Sequence, residues 1–346
     1  MSAGPAIRRR NQAIAAFAAG VILLALGAAS VWRDAALGAR PDVSGPVVPG
    51  WRDAAADAER IEIITSDEQF MLVRSEAGWT MPSRGDYAVR PERIAELDEA
   101  LGGLQYDRAM TRDPEKFPRL GLDDPIGGGA GIRINVLDSE GTAIAALIVG
   151  RDRDEGGVYL RTPGGERAYS ATGTLPELGD AGRWLGLEFW DLDPGSVAQA
   201  RIRPEAGPAW AVQRAGIAQR NFELVEPEGW RLVTGGAANG PATAGARLRF
   251  RDVKPAAALT GAFAARHQAV TFSGIAYDLT FTAEGEERWA VIEVRAAADD
   301  AAERVERLER FVDGWAFRVS EDAYERMTRP LPELAEPAPV EPVIEP

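Results

Sequence analysis

The chain has 346 residues, enough for about two domains of ordinary size, with no cysteine and a single histidine, His267. Disulfides, thiolate nucleophiles, Cys-held metal clusters and any centre needing two imidazoles are thereby excluded. Against 39 Lys+Arg stand 53 Asp+Glu, a net charge of −14, which argues against a nucleic-acid-binding surface.

Taken in chain order, residues 1–12 form a basic stub carrying Arg8, Arg9 and Arg10, and Ala13–Trp32 is a run without a charge. Twenty residues of helix measure about 30 Å, the thickness of a bilayer's hydrocarbon core. The run reads as a single-pass transmembrane helix. The arginine bias keeps residues 1–12 in the cytoplasm and exports everything after Trp32, which itself suits the interfacial aromatic belt. A cleaved signal peptide, cut near Ala28-Ala29-Ser30, is the alternative; the length of the run favours an uncleaved signal anchor, and both readings export the body. Ala16, Gly20 and Gly27 offer a small-residue face for helix packing.

Residues 33–57 contain Pro41, Gly45, Pro46, Pro49 and Gly50 and read as an extended tether. Strand-like runs follow at 60–65 and 70–74, with another starting at Gly78-Trp79. From Pro91 the spacing of Ile94, Leu97, Leu101 and Leu104 predicts a helix. Four strands come next, at 132–137, 143–149, 158–161 and 167–170, joined by Gly-containing turns. At the far end, residues 335–346 are rich in proline and glutamate and read as a disordered tail.

Short matches then recur in order. Gln69–Val73 with Gly78-Trp79 answers Asn221–Val225 with Gly229-Trp230; Leu104-Gln105-Tyr106 answers Leu248-Arg249-Phe250; Glu140-Gly141 answers Glu284-Gly285. Gly157–Arg161 likewise answers Gly314–Arg318, and Leu175–Leu178 answers Leu331–Leu334. The jump in offset is accounted for by an insertion over 296–313, where Val305, Leu308 and Val312 make a helical stripe. The chain reads as α+β: an N-terminal transmembrane helix, then a tandem duplication of mostly antiparallel-sheet modules with a few helices. Repeat 1 is expected over 58–182, a linker over 183–195 and repeat 2 over 196–334.

The N-terminal anchor, the strand pair ending in Gly-Trp, the helix, the run Leu120-Gly121-Leu122-Asp123-Asp124-Pro125, a strand to Val149-Gly150 and the hairpin Gly157-Val158-Tyr159 together resemble the bacterial family known as domain of unknown function 4340. The resemblance covers most of 58–334 and is clearer in the first copy; the second lacks a counterpart of the Gly-Leu-Asp-Asp-Pro run. Members are membrane-anchored envelope proteins often encoded beside an ABC-type ATPase, its permease and a gliding-motility-type auxiliary protein. The resemblance implies an accessory subunit in the bacterial inner membrane with a periplasmic body, and it carries over no catalytic residues.

Residue by residue, the chemistry is sparse. No Gly-x-Ser-x-Gly or His-Glu-x-x-His occurs, and neither lysine, Lys116 or Lys254, follows a phosphate-cradling glycine loop. Gly127–Gly131 precedes a strand, where a phosphate loop would open a helix. Asp152–Gly157 begins like a calcium loop but has Gly156 at position five and Pro163 at position twelve, so it reads as a hairpin turn. Asp191 and Asp193 are the raw material of an acid/base pair, yet their setting reads as a turn-initiating linker. His267 has no nucleophile or orienting acid beside it in sequence and reads as partly exposed. Trp79, Trp230, Trp289 and Trp315 read as core, whereas Trp51, Trp184 and Trp190, near linkers, are expected to meet a partner or the membrane surface. The expected function is therefore a non-enzymatic, membrane-anchored accessory subunit of an ABC-type, gliding-motility-auxiliary-like transport system. Its partners are the permease, the ATPase and auxiliary membrane proteins, without cofactor, metal or nucleic acid. The alternatives are an envelope glycan- or lipid-binding module and, more remotely, a carboxylate-based hydrolase.

Overall fold

Alternating and continuous apolar runs make this an α+β chain of mostly antiparallel sheets with a few helices. The computed structural model describes residues 44–339 apart from residue 155, in two compact units divided between Leu185 and Gly186. The Ala13–Trp32 run, with Ala16, Gly20 and Gly27, and residues 340–346 lie outside the described residues. Among the described residues no helix is long and apolar enough to cross a membrane.

Unit one begins with β1 (Gly45–Pro46), α1 (Trp51–Ala54), β2 (Arg60–Ile64), β3 (Gln69–Ser75), β4 (Gly78–Met81) and β5 (Tyr87–Ala88). Then come α2 (Pro91–Gly103), β6 (Gln105–Ala109), α3 (Phe117–Leu120), β7 (Ile132–Leu137), β8 (Ala143–Asp152), β9 (Val158–Arg161) and β10 (Tyr169–Thr172). Pro91 opens α2, whose missing N–H costs nothing in a first turn, and the helix turns Leu97 and Leu101 into the core. The sheet runs β1-β6-β10-β9-β8-β7-β2-β3-β4-β5.

Unit two holds β11 (Val197–Arg203), β12 (Trp210–Gln213), β13 (Glu223–Glu226), β14 (Trp230–Leu232), α4 (Asn239–Thr243) and β15 (Asp252–Pro255). It continues with β16 (Ala262–Thr271), β17 (Ile275–Glu284), β18 (Glu287–Ala296), α5 (Ala302–Val312), β19 (Trp315–Val319), α6 (Glu321–Met327) and β20 (Ala335–Pro337). Its main sheet runs β13-β12-β11-β16-β17-β18-β19-β15, and β14 pairs separately with β20.

Read from the opposite edge, that order is β15-β19-β18-β17-β16-β11-β12-β13, against β6-β10-β9-β8-β7-β2-β3-β4 in unit one. Every strand number differs by nine, so the two units share one topology. The register agrees as well. In unit one Phe70, Ile63, Ile134 and Leu147 stand opposite one another on adjacent strands, all nearly or fully buried. In unit two the row is Trp210, Ile202, His267 and Leu279. The residues flanking the β7 and β16 members point to the other sheet face and match in type, Arg133 and Asn135 against Arg266 and Gln268. Each pair meets a buried acid: Asn135 Nδ2 donates to Glu62 Oε2 at 3.1 Å, while Gln268 Nε2 donates to Asp278 Oδ2 at 2.7 Å.

Several expected boundaries shift. The repeat begins upstream of residue 58, because β1 pairs with β6, Val47 N donates to Leu104 O, and Val47, Val48 and Trp51 are buried. Unit two repeats this first pairing, since Asp191 bridges to Arg247 and Leu192 N donates to Ala246 O; Pro194-Gly195 then runs directly into β11, the counterpart of β2, whereas Pro49-Gly50 first opens α1, which has no counterpart there. The supposed tether and linker thus contain corresponding first elements of the two units. Residues 335–337 of the expected tail form β20, and Leu331, Leu334 and Ala335 are buried.

The matched fragments are partly out of step. Leu104–Tyr106 and Leu248–Phe250 do lead into the equivalent strands β6 and β15, but Gly157–Arg161 enters β9 while Gly314–Arg318 enters β19, the counterpart of β10. Likewise Glu140-Gly141 closes the β7–β8 hairpin and Glu284-Gly285 the β17–β18 hairpin, the counterpart of β8–β9. Short apolar runs ending in glycine are interchangeable among neighbouring hairpins, and only the pairing settles which is which. The extra helix falls where the insertion is expected, as α5, between β18 and β19.

Candidate functional site

A groove of about 740 Å³ opens in unit one between α1, α2 and the sheet. Its floor is apolar: Ile61 from β2, Val136 from β7 and Leu97 from α2 are each at most 4% exposed. Its walls carry two indoles. Trp51 is held by its Nε1, which donates to Asp98 Oδ1 at 2.8 Å and Asp98 O at 3.0 Å. Trp79, at the start of β4, is covered by the Arg74 guanidinium, 5.6 Å from the ring centre; Arg74 Nη1 is fixed by donating to Ala56 O at 2.7 Å. Arg52 and Glu99 add charges of both signs to the rim. A floor without polar groups beneath aromatic walls and a mixed polar rim is suited to grip an extended apolar or aromatic segment, or a sugar face.

Elsewhere in unit one, against β8 and β9, the sequence motif 120–125 does structural work. Gly121 ends α3 in the left-handed region (φ 68°), which glycine adopts without strain. Leu122 then enters a buried cluster with Phe117, Ile148 and Ala168. Arg161 anchors the loop: its Nε donates to Leu122 O at 2.7 Å and its guanidinium lies 5.0 Å over the Phe117 ring. Asp124 accepts from Ile126 N at 3.1 Å and sits 3.6 Å from Arg133 Nη1. Burial lowers the pKa of Arg133 and Arg161, with neighbouring acids opposing it, Asp124 foremost. Asp124→Ala should cost unit one about 1–2 kcal/mol in a denaturant titration, through the lost cap and the weakened partner of Arg133. A change below about 0.3 kcal/mol would refute this role.

The residues singled out in the sequence disperse. Asp191 Oδ1 accepts from Arg247 Nε at 2.6 Å, while Asp193 Oδ1 caps Gly195 N at 2.9 Å, so each carboxylate has its own structural partner. In the Asp152–Gly157 hairpin, Arg153 Nη1 reaches Asp107 Oδ2 at 2.9 Å, putting a cation where a calcium loop needs acids. Among the described residues no three His, Asp or Glu side chains converge as a metal site. In the glycine run, Gly129 and Gly131 sit against the Asp123 backbone, so closely that a Cβ would fall 2.6 and 2.5 Å from its C and O atoms. Their role is close packing. Trp184 and Trp190 are fully buried, contrary to expectation: each indole N–H finds an internal acceptor, Leu178 O for Trp184 and Gly245 O for Trp190, whereas Trp51, 6% exposed, lines the groove. His267 is wholly buried, because β16 turns it under α4. The groove itself had only one sequence signal, the Gly78-Trp79 pair.

Residues 79–247 match the family model described as Domain of unknown function (DUF4340). This stretch is a DUF4340 domain. It enters at β4 and leaves at Arg247, just before β15, so it takes in most of unit one, the whole 120–131 loop and the opening strands of unit two. Of the groove, the DUF4340 stretch supplies Trp79, α2 and Val136, whereas Trp51, Ile61 and Arg74 precede it. No curated protein and no solved structure matches the chain.

Proposed function

We propose that this protein is a membrane-anchored, non-enzymatic accessory subunit of an ABC-type, gliding-motility-auxiliary-like transport system. In this reading Ala13–Trp32 spans the bacterial inner membrane once, the N-terminus is cytoplasmic, and the duplicated DUF4340-type body is periplasmic. The observation that carries it is the Trp51–Trp79 groove, an apolar and aromatic recess with a charged rim. Its position in the chain adds support: eighteen residues lie between Trp32 and Trp51, a reach of at most about 65 Å. A groove on so short a lead stays within range of the ectodomains of neighbouring membrane proteins, and the permease is the partner proposed for it.

The test is gentle detergent extraction of native membranes, affinity capture through a C-terminal tag with and without crosslinker, and mass spectrometry. Stoichiometric recovery of an ABC permease and ATPase is expected. The double replacement Arg74→Ala/Trp79→Ala should reduce that recovery about tenfold, the equivalent of about 1.4 kcal/mol, with little change in unfolding midpoint. Recovery of the protein alone, crosslinker included, would sink the subunit reading. The two indoles and the rim charges would then favour the second reading, an envelope glycan- or lipid-binding module.

A further inference from the structure

The two units solve one packing problem with different chemistry. Where β7 and β8 of unit one hold Ile134 and Ala145, the matching positions of β16 and β17 in unit two hold His267 and Tyr277, equally buried. The imidazole and phenol rings stack with an interplanar angle of 6° and centroids 6.0 Å apart. Above them the segment 239–246 lies close: His267 Nε2 donates to Pro241 O at 3.0 Å, and a Cβ on Gly245 would fall 2.9 Å from His267 Nδ1 and 3.0 Å from the Tyr277 ring. Trp190 closes the nest, its Nε1 donating to Gly245 O and its ring meeting Tyr277 edge-on at 5.5 Å.

Two polar atoms in this nest have no partner, His267 Nδ1 and the Tyr277 hydroxyl. With Nε2–H committed to Pro241 O, Nδ1 holds the lone pair, and a proton arriving there would be a buried cationic N–H with nothing to accept it. Around the ring, β11 offers Ile202 and the α4 segment offers Pro241, Ala242 and Gly245. From β17 come the Tyr277 ring and, on the far face of the sheet, Asp278, which Arg266 and Gln268 already hold. Among the described residues no other charged group acts on the imidazole. The fold does not require this arrangement, since unit one packs the same place with hydrocarbon.

We propose that His267 and Tyr277 form an acid-sensitive latch that holds the 239–246 segment against the second sheet and releases it as the pH falls below neutral. The latch is independent of the docking assignment. Burial pushes the His267 pKa down from 6.5 to about 4, against smaller upward pulls from the Pro241 carbonyl and Asp278. An open segment would leave the ring near its ordinary value. Between those two pH values the open form binds a proton and the closed form does not, so closure weakens with each unit of acidification and is restored above about pH 6.5.

Hydrogen exchange of the full chain in detergent, followed by mass spectrometry at pH 7.5 and 5.0, tests the latch. After correction for intrinsic rates, peptides covering 239–246 should lose protection about thirtyfold on acidification, while those over α2 change less than about twofold. His267→Leu, which copies the hydrocarbon of unit one, should abolish the difference. Equal losses in wild type and variant, or none in wild type, would overturn the proposal. Should the variant not fold, the wild type still decides: its single histidine, 13C-labelled in the full chain, gives an unambiguous ring resonance. Titration well below pH 6.5 supports the latch, and an ordinary midpoint near 6.5 refutes it.

Discussion

Truncating Trp184 to alanine should destabilise unit one by about 3–5 kcal/mol, and Trp190→Ala should do the same to unit two. Both indoles are fully buried. Trp184 packs against Phe70 with centroids 6.5 Å apart, carries the Arg93 guanidinium 5.4 Å from its ring and donates to Leu178 O at 3.1 Å. Its removal leaves a large cavity and an unmet carbonyl together, and takes the ring from beneath Arg93. Trp190 combines the edge contact on Tyr277 with a 2.8 Å hydrogen bond to Gly245 O. Pulse proteolysis in a urea series, with fragments assigned to each unit, reads the two effects separately. Losses below about 1 kcal/mol would mean that these side chains serve a partner instead of a core.

Gly150→Ala should cost unit one about 3 kcal/mol, the upper end for forcing a methyl group into a packed site. The added Cβ would lie 2.2 Å from Leu120 O and 2.9 Å from Leu122 Cδ2, so the 120–131 loop or β8 must move. Because Leu120 O is backbone, no side-chain rotation relieves the clash. Gly103→Ala is the control: it sits in the last turn of α2 with nothing within 4 Å of the new methyl, and should be neutral or gain up to about 1 kcal/mol. Equal unfolding midpoints for the two variants would show that the loop does not seat on β8 as described.

Much of the secondary structure was legible because it rests on local rules. Pro91 and the apolar stripe gave α2, the stripe ending before Gly314 gave α5, and alternation gave the strand-like runs. Less of the candidate site was visible. Trp79 stood out through its Gly-Trp pair, but Trp51, Ile61, Leu97 and Val136 come from four separate stretches that converge only when β2 pairs between β3 and β7. Burial of His267 was hidden for a related reason. Its neighbours in sequence, Arg266 and Gln268, are polar, and in a strand they point to the opposite face from the side chain between them.

By itself the sequence determined the absence of cysteine chemistry, the acidic body behind a basic stub, the uncharged Ala13–Trp32 run and the resemblance to the DUF4340 family. These are properties of composition and short range, readable without knowing what touches what. Tertiary structure alone decided that the two sheets share a strand order nine numbers apart, that the supposed tether and linker each supply a first pairing to their unit, and that Trp184 and Trp190 near the supposed linker belong to cores. The reason is that an antiparallel hairpin reads much like its neighbour in sequence, while a slip of one residue in pairing turns every side chain to the other face. Which strand is which, and which face is buried, is therefore fixed by long-range pairing and by the helix each sheet must cover.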